Sequence, residues 1–163
     1  MLYVRPATAD DLPSILEIYN HAVLHSTATA DLVPQTLEAR RRWFDEHAAA
    51  GLPVWVAELD GRVAGFAALN SHRERPGYRF TVENSVYVAA DSRGRGVGRA
   101  LLEETVTGAR RLGLHTILAG ISGDNTASLA LHARFGFAEA ARFKEAVYKF
   151  NSWIDVIYLQ LLL

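Results

Sequence analysis

At 163 residues, half of them hydrophobic, the chain is long enough to bury one full core and too apolar to stay disordered. Its 17 basic and 18 acidic side chains leave a net charge of −1, which excludes the long-range field that would gather nucleic acid or an acidic membrane. Cysteine is absent, so disulfides, thiolate metal sites and thiol nucleophiles are excluded together, and no metal is expected.

Leu2 to Arg5 reads as a strand stopped by Pro6. Thr8 and Asp11 form a capping box, and Leu12, Ile15, Leu16 and Tyr19 follow at helical spacing, predicting a helix from about Ala9 into the low twenties. Residues 26–34 are small and polar and make a loop ending at Pro34. A second helix is expected from Thr36 to just before Gly51, with Leu37, Trp43 and Phe44 inward and Arg40 to Arg42 partly solvated. Pro53 to Leu59 and Val63 to Leu69 are strands joined by Asp60-Gly61, the type I′ hairpin signal. After a loop from Ser71 to Gly77, a long strand runs from Phe80 to Val88. A helix from about Gly96 to Leu112 should bury Val97, Leu101, Thr105, Ala109 and Leu112, and Gly113 closes it. Thr116 to Ala119 is a short buried strand, Asp124-Asn125 caps a helix ending at Gly136, and two strands (Ala141 to Phe150, Trp153 to Leu162) meet at Asn151-Ser152. The order is β-α-α-β-β-β-α-β-α-β-β in a single mixed α/β domain spanning residues 1–163. The first residues have no charged leader before an apolar core, and no apolar run reaches membrane-spanning length, so a soluble, cytoplasmic protein is expected.

The segment with the most chemical information is the loop after the long strand, Arg93-Gly94-Arg95-Gly96-Val97-Gly98-Arg99. Glycines let backbone N–H groups converge on one anion, the helix behind adds unpaired donors and its positive dipole end, and the arginines neutralise what remains. Glu83, on the strand feeding this loop, interrupts an apolar run and is a candidate base. Together they suggest an enzyme that uses a phosphorylated cofactor. A nucleoside-triphosphate loop would need a lysine and a hydroxyl residue after Gly98, where Arg99-Ala100 stand. A dinucleotide fingerprint would need glycine at position 99 or 101, where Arg99 and Leu101 stand. The remaining pattern is Arg-x-x-Gly-x-Gly, met by Arg93, Gly96 and Gly98. It resembles the acyl-CoA pyrophosphate loop of the GNAT superfamily of N-acetyltransferases; the other reading is an ordinary glycine-rich turn with solvated arginines.

A second segment, Asn125-x-x-Ser128-x-x-Leu131-His132-x-x-x-Gly136-Phe137, is similar to that superfamily's second signature, and the element order is the GNAT order. Thr81 to Val88, Arg73 to Tyr78, Ala119-Gly120-Ile121 and Lys149-Phe150-x-x-Trp153-x-Asp155 further resemble the phosphinothricin acetyltransferase group. So do Tyr19-Asn20-His21, Thr27 and Pro34-Gln35-Thr36, which extends the likeness along the whole chain. The group commonly has an aromatic residue where Ala30 stands and a glycine where Asn151 stands, so the pocket is expected to be wider here and the turn to survive.

The resemblance implies a single-domain GNAT fold with a mixed, mostly antiparallel sheet flanked by four helices, acetyl-CoA as cosubstrate, and a homodimer. It implies transfer of acetyl to the α-amine of phosphinothricin, methionine sulfoximine, methionine sulfone or a related amino acid. Glu83 then becomes the base, acting directly or through a water, or else it only orients the acceptor. His132 stands where many members have tyrosine and either protonates the departing thiolate or hydrogen-bonds the cofactor. Backbone of Ser85, Val86, Tyr87 and Val88 would pair with the pantetheine arm. Arg93, Gly94, Arg95, Gly96, Val97 and Gly98 would hold the pyrophosphate, with Asn125 and Ser128 closing the site. Arg73 and Arg75 would read a carboxylate or phosphinate, beside Val82, Glu83 and Asn84. Two other functions fit the same residues: an acetyltransferase for a polyamine, aminoglycoside or protein N-terminus, and a non-catalytic acyl-CoA-binding module.

Overall fold

The computed structural model describes residues 1–163. One seven-stranded sheet forms the middle layer, in the order β1-β2-β3-β4-β5-β7-β6. Its strands are β1 (Leu2–Pro6), β2 (Val54–Leu59), β3 (Arg62–Ser71), β4 (Thr81–Val88), β5 (Thr116–Ser122), β6 (Ala138–Lys149) and β7 (Ser152–Leu162). Four helices cover it: α1 (Leu12–His25), α2 (Leu37–Ala50), α3 (Val97–Arg111) and α4 (Thr126–Arg134). No helix is long and apolar enough to cross a membrane.

Period-two alternation divides the apolar residues between two cores. Val54, Val56, Phe66 and Ala68 pack under Leu12, Ile15 and Ile18 of α1, with Trp43 and Phe44 of α2 alongside. Val82, Ile117, Ile157 and Leu159 point the other way, under Val97, Leu101 and Leu102 of α3. On β4, therefore, Val82 faces the α3–α4 layer with Asn84 and Val86, and Glu83, Ser85 and Tyr87 face the α1–α2 layer.

Only β4 and β5 run parallel, and their register is short: Thr81, Val82 and Glu83 pair with Thr116, Ile117 and Leu118. Beyond that point β4 stays on β3 as far as Val88↔Gly65, and β5 stays on β7 as far as Ser122↔Val156. The sheet therefore splits down its middle, and residues 84–88 keep an unpaired edge facing β5.

Several local expectations hold with adjusted limits. Asp11 Oδ2 accepts from Thr8 N–H at 2.8 Å, and the first turn is 3₁₀ before α1 begins. Asp60 and Gly61 both take positive φ in the β2–β3 turn. The last hairpin turns one residue earlier than expected, at Phe150-Asn151, both at positive φ, with Lys149 opposite Ser152. Asparagine tolerates that conformation, so the turn survives without glycine. Two burial expectations fail. Leu112 is exposed, because α3 ends there as a C-cap. On α2 the inward stripe is Arg40, Trp43, Phe44 and His47, so Leu37 is exposed and Arg40 is only 3 % exposed.

Candidate active site

The split between β4 and β5 opens into three adjoining cavities that share Val86 and Asn125. The innermost, about 70 Å³, lies between Asn84–Tyr87 on β4 and Ala119–Ser122 on β5. Outward it meets a space of about 430 Å³ walled by the Arg93–Arg99 loop, Ser128, Leu131 and His132. A third, about 460 Å³, runs under the end of α1 and is bounded by Arg93, Asp124 and Phe150. The α1–α2 loop roofs this cleft. Thr27 Oγ1 donates to Asp124 Oδ1 at 2.7 Å, and the buried Lys149 Nζ donates to Thr29 O at 2.9 Å, tying the loop to β5–α4 and to the last hairpin.

The chain's own groups fit an acyl-CoA in this cleft. Gly94 and Gly96 sit at φ +72° and +85°, where other residues are strained, and turn the loop onto the N-terminus of α3. A Cβ on Gly98 would stand 3.3 Å from Leu131 Cδ2, so glycine keeps the loop in contact with α4. Arg93 and Arg99 line the cavity at this loop. Arg95 instead pairs with Asp60 Oδ2 at 2.9 Å, across on the β2–β3 turn, and its side chain is drawn out of the cleft. Asn84 Oδ1 is buried without a partner, as an acceptor waiting for a ligand N–H or S–H would be.

His132 is buried, and burial pushes its imidazole below the usual histidine range. Nδ1 lies 2.8 Å from Ser128 O, and a carbonyl only accepts, so Nδ1 carries the proton. Nε2 then receives the Asn84 Nδ2–H at 3.0 Å. Asn125 caps α4 by accepting from Ser128 N–H at 3.2 Å. This buried neutral imidazole makes stability depend on pH. The unfolded chain takes up a proton as pH falls through about 6.5, and the folded chain resists it. The contribution is therefore intact above that pH and is lost below it, toward the depressed folded value. Thermal melts between pH 7.5 and 5.5 should show wild type losing stability on acidification more steeply than His132→Gln; parallel slopes would refute the assignment.

Glu83 stands on the opposite face of β4 from His132. Its Oε1 lies 2.6 Å from His72 Nδ1, and its side chain keeps 31 % exposure at the end of the β4–β5 split. Asn70 on β3 bridges Glu83 O at 3.1 Å and Ser85 Oγ at 3.0 Å, which stiffens the strand at this point. Tyr158 of β7 packs over Gly120, where a Cβ would stand 3.2 Å from its ring. Burial raises the Tyr158 phenol above its ordinary range, the Glu83 carboxylate adds to the rise, and Arg73 opposes it. Arg73 and Arg75 are both exposed on the loop before β4, outside the cavities, with the Arg73 guanidinium 5.8 Å from the Tyr78 ring. Val82 is buried in the core under α3, so its side chain is closed to an acceptor and only its backbone remains available. Ala30 is exposed and stands outside these cavities.

Sequence reasoning missed His72 and Tyr158. His72 was visible as the one imidazole in an arginine-rich loop. Tyr158 carried a weaker signal, an aromatic residue out of step with the aliphatic positions on β7.

Comparison with known proteins agrees with this geometry. The model of the acetyltransferase (GNAT) family matches residues 14–137. The chain is 43 % identical over 160 residues to an L-amino acid N-acyltransferase of Escherichia coli, covering 97 % of this chain and 92 % of that one. It is 42 % identical over 159 residues to an L-methionine sulfoximine/L-methionine sulfone acetyltransferase of Pseudomonas aeruginosa, with the same coverage. A crystal structure of a GNAT phosphinothricin acetyltransferase from Sinorhizobium meliloti in complex with acetyl-CoA superposes with a TM-score of 0.97 at 36 % identity, over 99 % of this chain and 88 % of that one. A split parallel strand pair, a glycine–arginine loop at the head of a helix and these likenesses along nearly every residue lead to one statement: the chain belongs to the GNAT family of acetyltransferases.

Proposed function

We propose that the protein, acting as one catalytic domain, transfers acetyl from acetyl-CoA to the α-amine of a small amino acid or analogue of the methionine sulfone, methionine sulfoximine or phosphinothricin type. The amine attacks the thioester directly. The observation that carries this reading is the split between β4 and β5, with an anion-binding loop on one side and Glu83 on the other. Loop amides of residues 93–98, with Arg93 and Arg99, hold the diphosphate. The unpaired edge of Ser85 to Val88 takes the arm in β fashion, and one of its N–H groups polarises the thioester carbonyl. An α-amine has a reference pKa of about 8, so much of it arrives protonated at neutral pH. Glu83 removes that proton, directly or through one water, while His72 fixes the carboxylate. His132 anchors Asn84 at the sulfur end of the gap, where the departing thiolate needs a proton or a hydrogen bond. Arg73 and Arg75 meet oxygen atoms on the distal part of the acceptor.

A homodimer in a reducing cytoplasm completes the reading. Phe143, Tyr148, Phe150 and Trp153 on the last hairpin are all more than half exposed, an aromatic surface suited to a second copy. Thiol release from acetyl-CoA over a panel of acceptors tests the activity. Release is expected with methionine sulfone, methionine sulfoximine or phosphinothricin and not with polyamines, aminoglycosides or peptides. Tight acetyl-CoA binding with no release for any amine would mark a non-catalytic acyl-CoA-binding module instead.

A further inference from the structure

A fourth cavity, about 210 Å³, lies on the α1–α2 face of the sheet and touches the thioester gap through Ser85 and Tyr87. Its wall is aromatic, from Tyr19, Trp43, Phe66 and Tyr87, and one cation stands in it, Arg40. That guanidinium is 3 % exposed and makes no ion pair. Its hydrogen bond to protein runs from Nη2 to Gln35 Oε1 at 2.7 Å, and Nε is buried with no partner. Asp31 acts on Arg40 through space and by way of Gln35, while its carboxylate is engaged by Tyr19 Oη and by Gln35 Nε2 at 3.2 Å. A buried charge with no directly paired counter-ion is costly, and an unpaired N–H beside it calls for an explanation. Two rings hold the guanidinium in place, with Cζ 4.1 Å from the Tyr19 ring centroid and 4.5 Å from the Trp43 ring centroid, and Nε marks the edge that lacks a protein partner.

We propose that the free edge of Arg40 receives the α-carboxylate of the acceptor, so that the acid group is the part of the substrate every acceptor must carry. The inference rests on the acetyltransferase reading above and adds the requirement that decides which amines qualify. An α-amino acid bears its amine and carboxylate on one carbon. An amine held at the gap beside Glu83 therefore leaves its carboxylate next to Ser85, on the face where Glu83, Ser85 and Tyr87 point together. The side chain, which varies between acceptors, leaves by the open mouth toward Arg73 and Arg75. A planar fork matches a carboxylate with two parallel N–H···O bonds, which a lysine would not supply in this stacked slot. An amine without the acid leaves Arg40 desolvated and alone, so discrimination against it is strong.

The test is thiol release by wild type, Arg40→Met and Arg40→Lys with methionine sulfone and with its carboxamide, alongside phosphinothricin. Wild type should prefer the acid over the amide by roughly 30- to 100-fold in kcat/KM, the range expected for losing a charge-assisted pair. In Arg40→Met that preference should collapse toward one, Arg40→Lys should recover part of it, and both should bind acetyl-CoA by calorimetry as wild type does. If phosphinothricin loses its rate in Arg40→Met while methionine sulfone keeps it, Arg40 reads the side-chain phosphinate and not the carboxylate, and the proposal is overturned. It is also overturned if wild type uses acid and amide equally, or if Arg40→Met lowers both by one factor. Should Arg40→Met fail to fold, the wild-type ratio and the Arg40→Lys result decide alone. Absence of thiol release from wild type with every acceptor would overturn the acetyltransferase reading itself, which separates the two failures.

Discussion

Glu83→Gln should lower kcat by about 10²- to 10⁴-fold, the usual contribution of a positioned base, and leave acetyl-CoA affinity within a few-fold of wild type. The separation follows from the placement of Glu83. It projects to the α1–α2 face, away from the loop proposed to hold the diphosphate, and its 2.6 Å contact with His72 Nδ1 uses one carboxylate oxygen and leaves the other open to an acceptor. Glutamine keeps the shape and one acceptor oxygen but cannot take a proton, so binding survives and transfer does not. The deficit should shrink as pH rises past the amine's own pKa of about 8, because free amine then arrives without help. A pre-steady-state thiol-release assay with a parallel binding titration measures both. Unchanged turnover would remove Glu83 as base and leave it an orienting role at most.

Gly65→Ala should cost about 2–3 kcal/mol of stability, lowering Tm by roughly 4–12 °C, and should also raise KM for acetyl-CoA. The added Cβ would stand 2.7 Å from Tyr87 O, 2.9 Å from Val97 Cγ1 and 3.0 Å from Leu101 Cδ1. The first of these is backbone and cannot rotate away, so β4 or the start of α3 has to move. Both belong to the proposed donor site: Tyr87 lies on the unpaired edge, and Val97 opens the helix at whose N-terminus the diphosphate is expected. Differential scanning calorimetry and an acetyl-CoA titration of the folded fraction check the two effects. A normal Tm would mean that the layers around Gly65 are looser than these distances indicate.

The element order and hairpin turns were legible because each rests on local chemistry, such as Asp60-Gly61 in the β2–β3 turn and Gly113 closing α3. The turn of the Arg93–Arg99 loop onto α3 was legible for the same reason, since its glycines act through their own backbone. What stayed hidden depends on pairing across the chain. Arg95 looked like a phosphate ligand by its neighbours, but Asp60, 35 positions away, claims it. Arg40 looked solvated in a run of three arginines. One of the three had to fall on the inward stripe with Trp43 and His47, and only the sheet below decides which. His72 pairs with Glu83, and Tyr158 feels its charge, because β3, β4, β5 and β7 lie side by side, which no single segment reveals.

The break in the middle of the sheet bears on how the molecule behaves between turnovers. Below Glu83 and Leu118 the two strands are zipped by three residue pairs; above them the halves β1–β4 and β5–β7 are bridged chiefly by helices and by the roof loop. A pantetheine arm lying along residues 85–88 would act as the missing rung, so donor occupancy and sheet continuity become one variable. By mass action a donor at about a hundred times its dissociation constant adds roughly 2.7 kcal/mol to the folded state. That gain applies to global unfolding and so reaches every strand, while the amides of the opened seam would gain local protection besides. The enzyme would then be most rigid when charged and most pliant when spent, which places the exchange of old cofactor for new at the moment the seam is loosest.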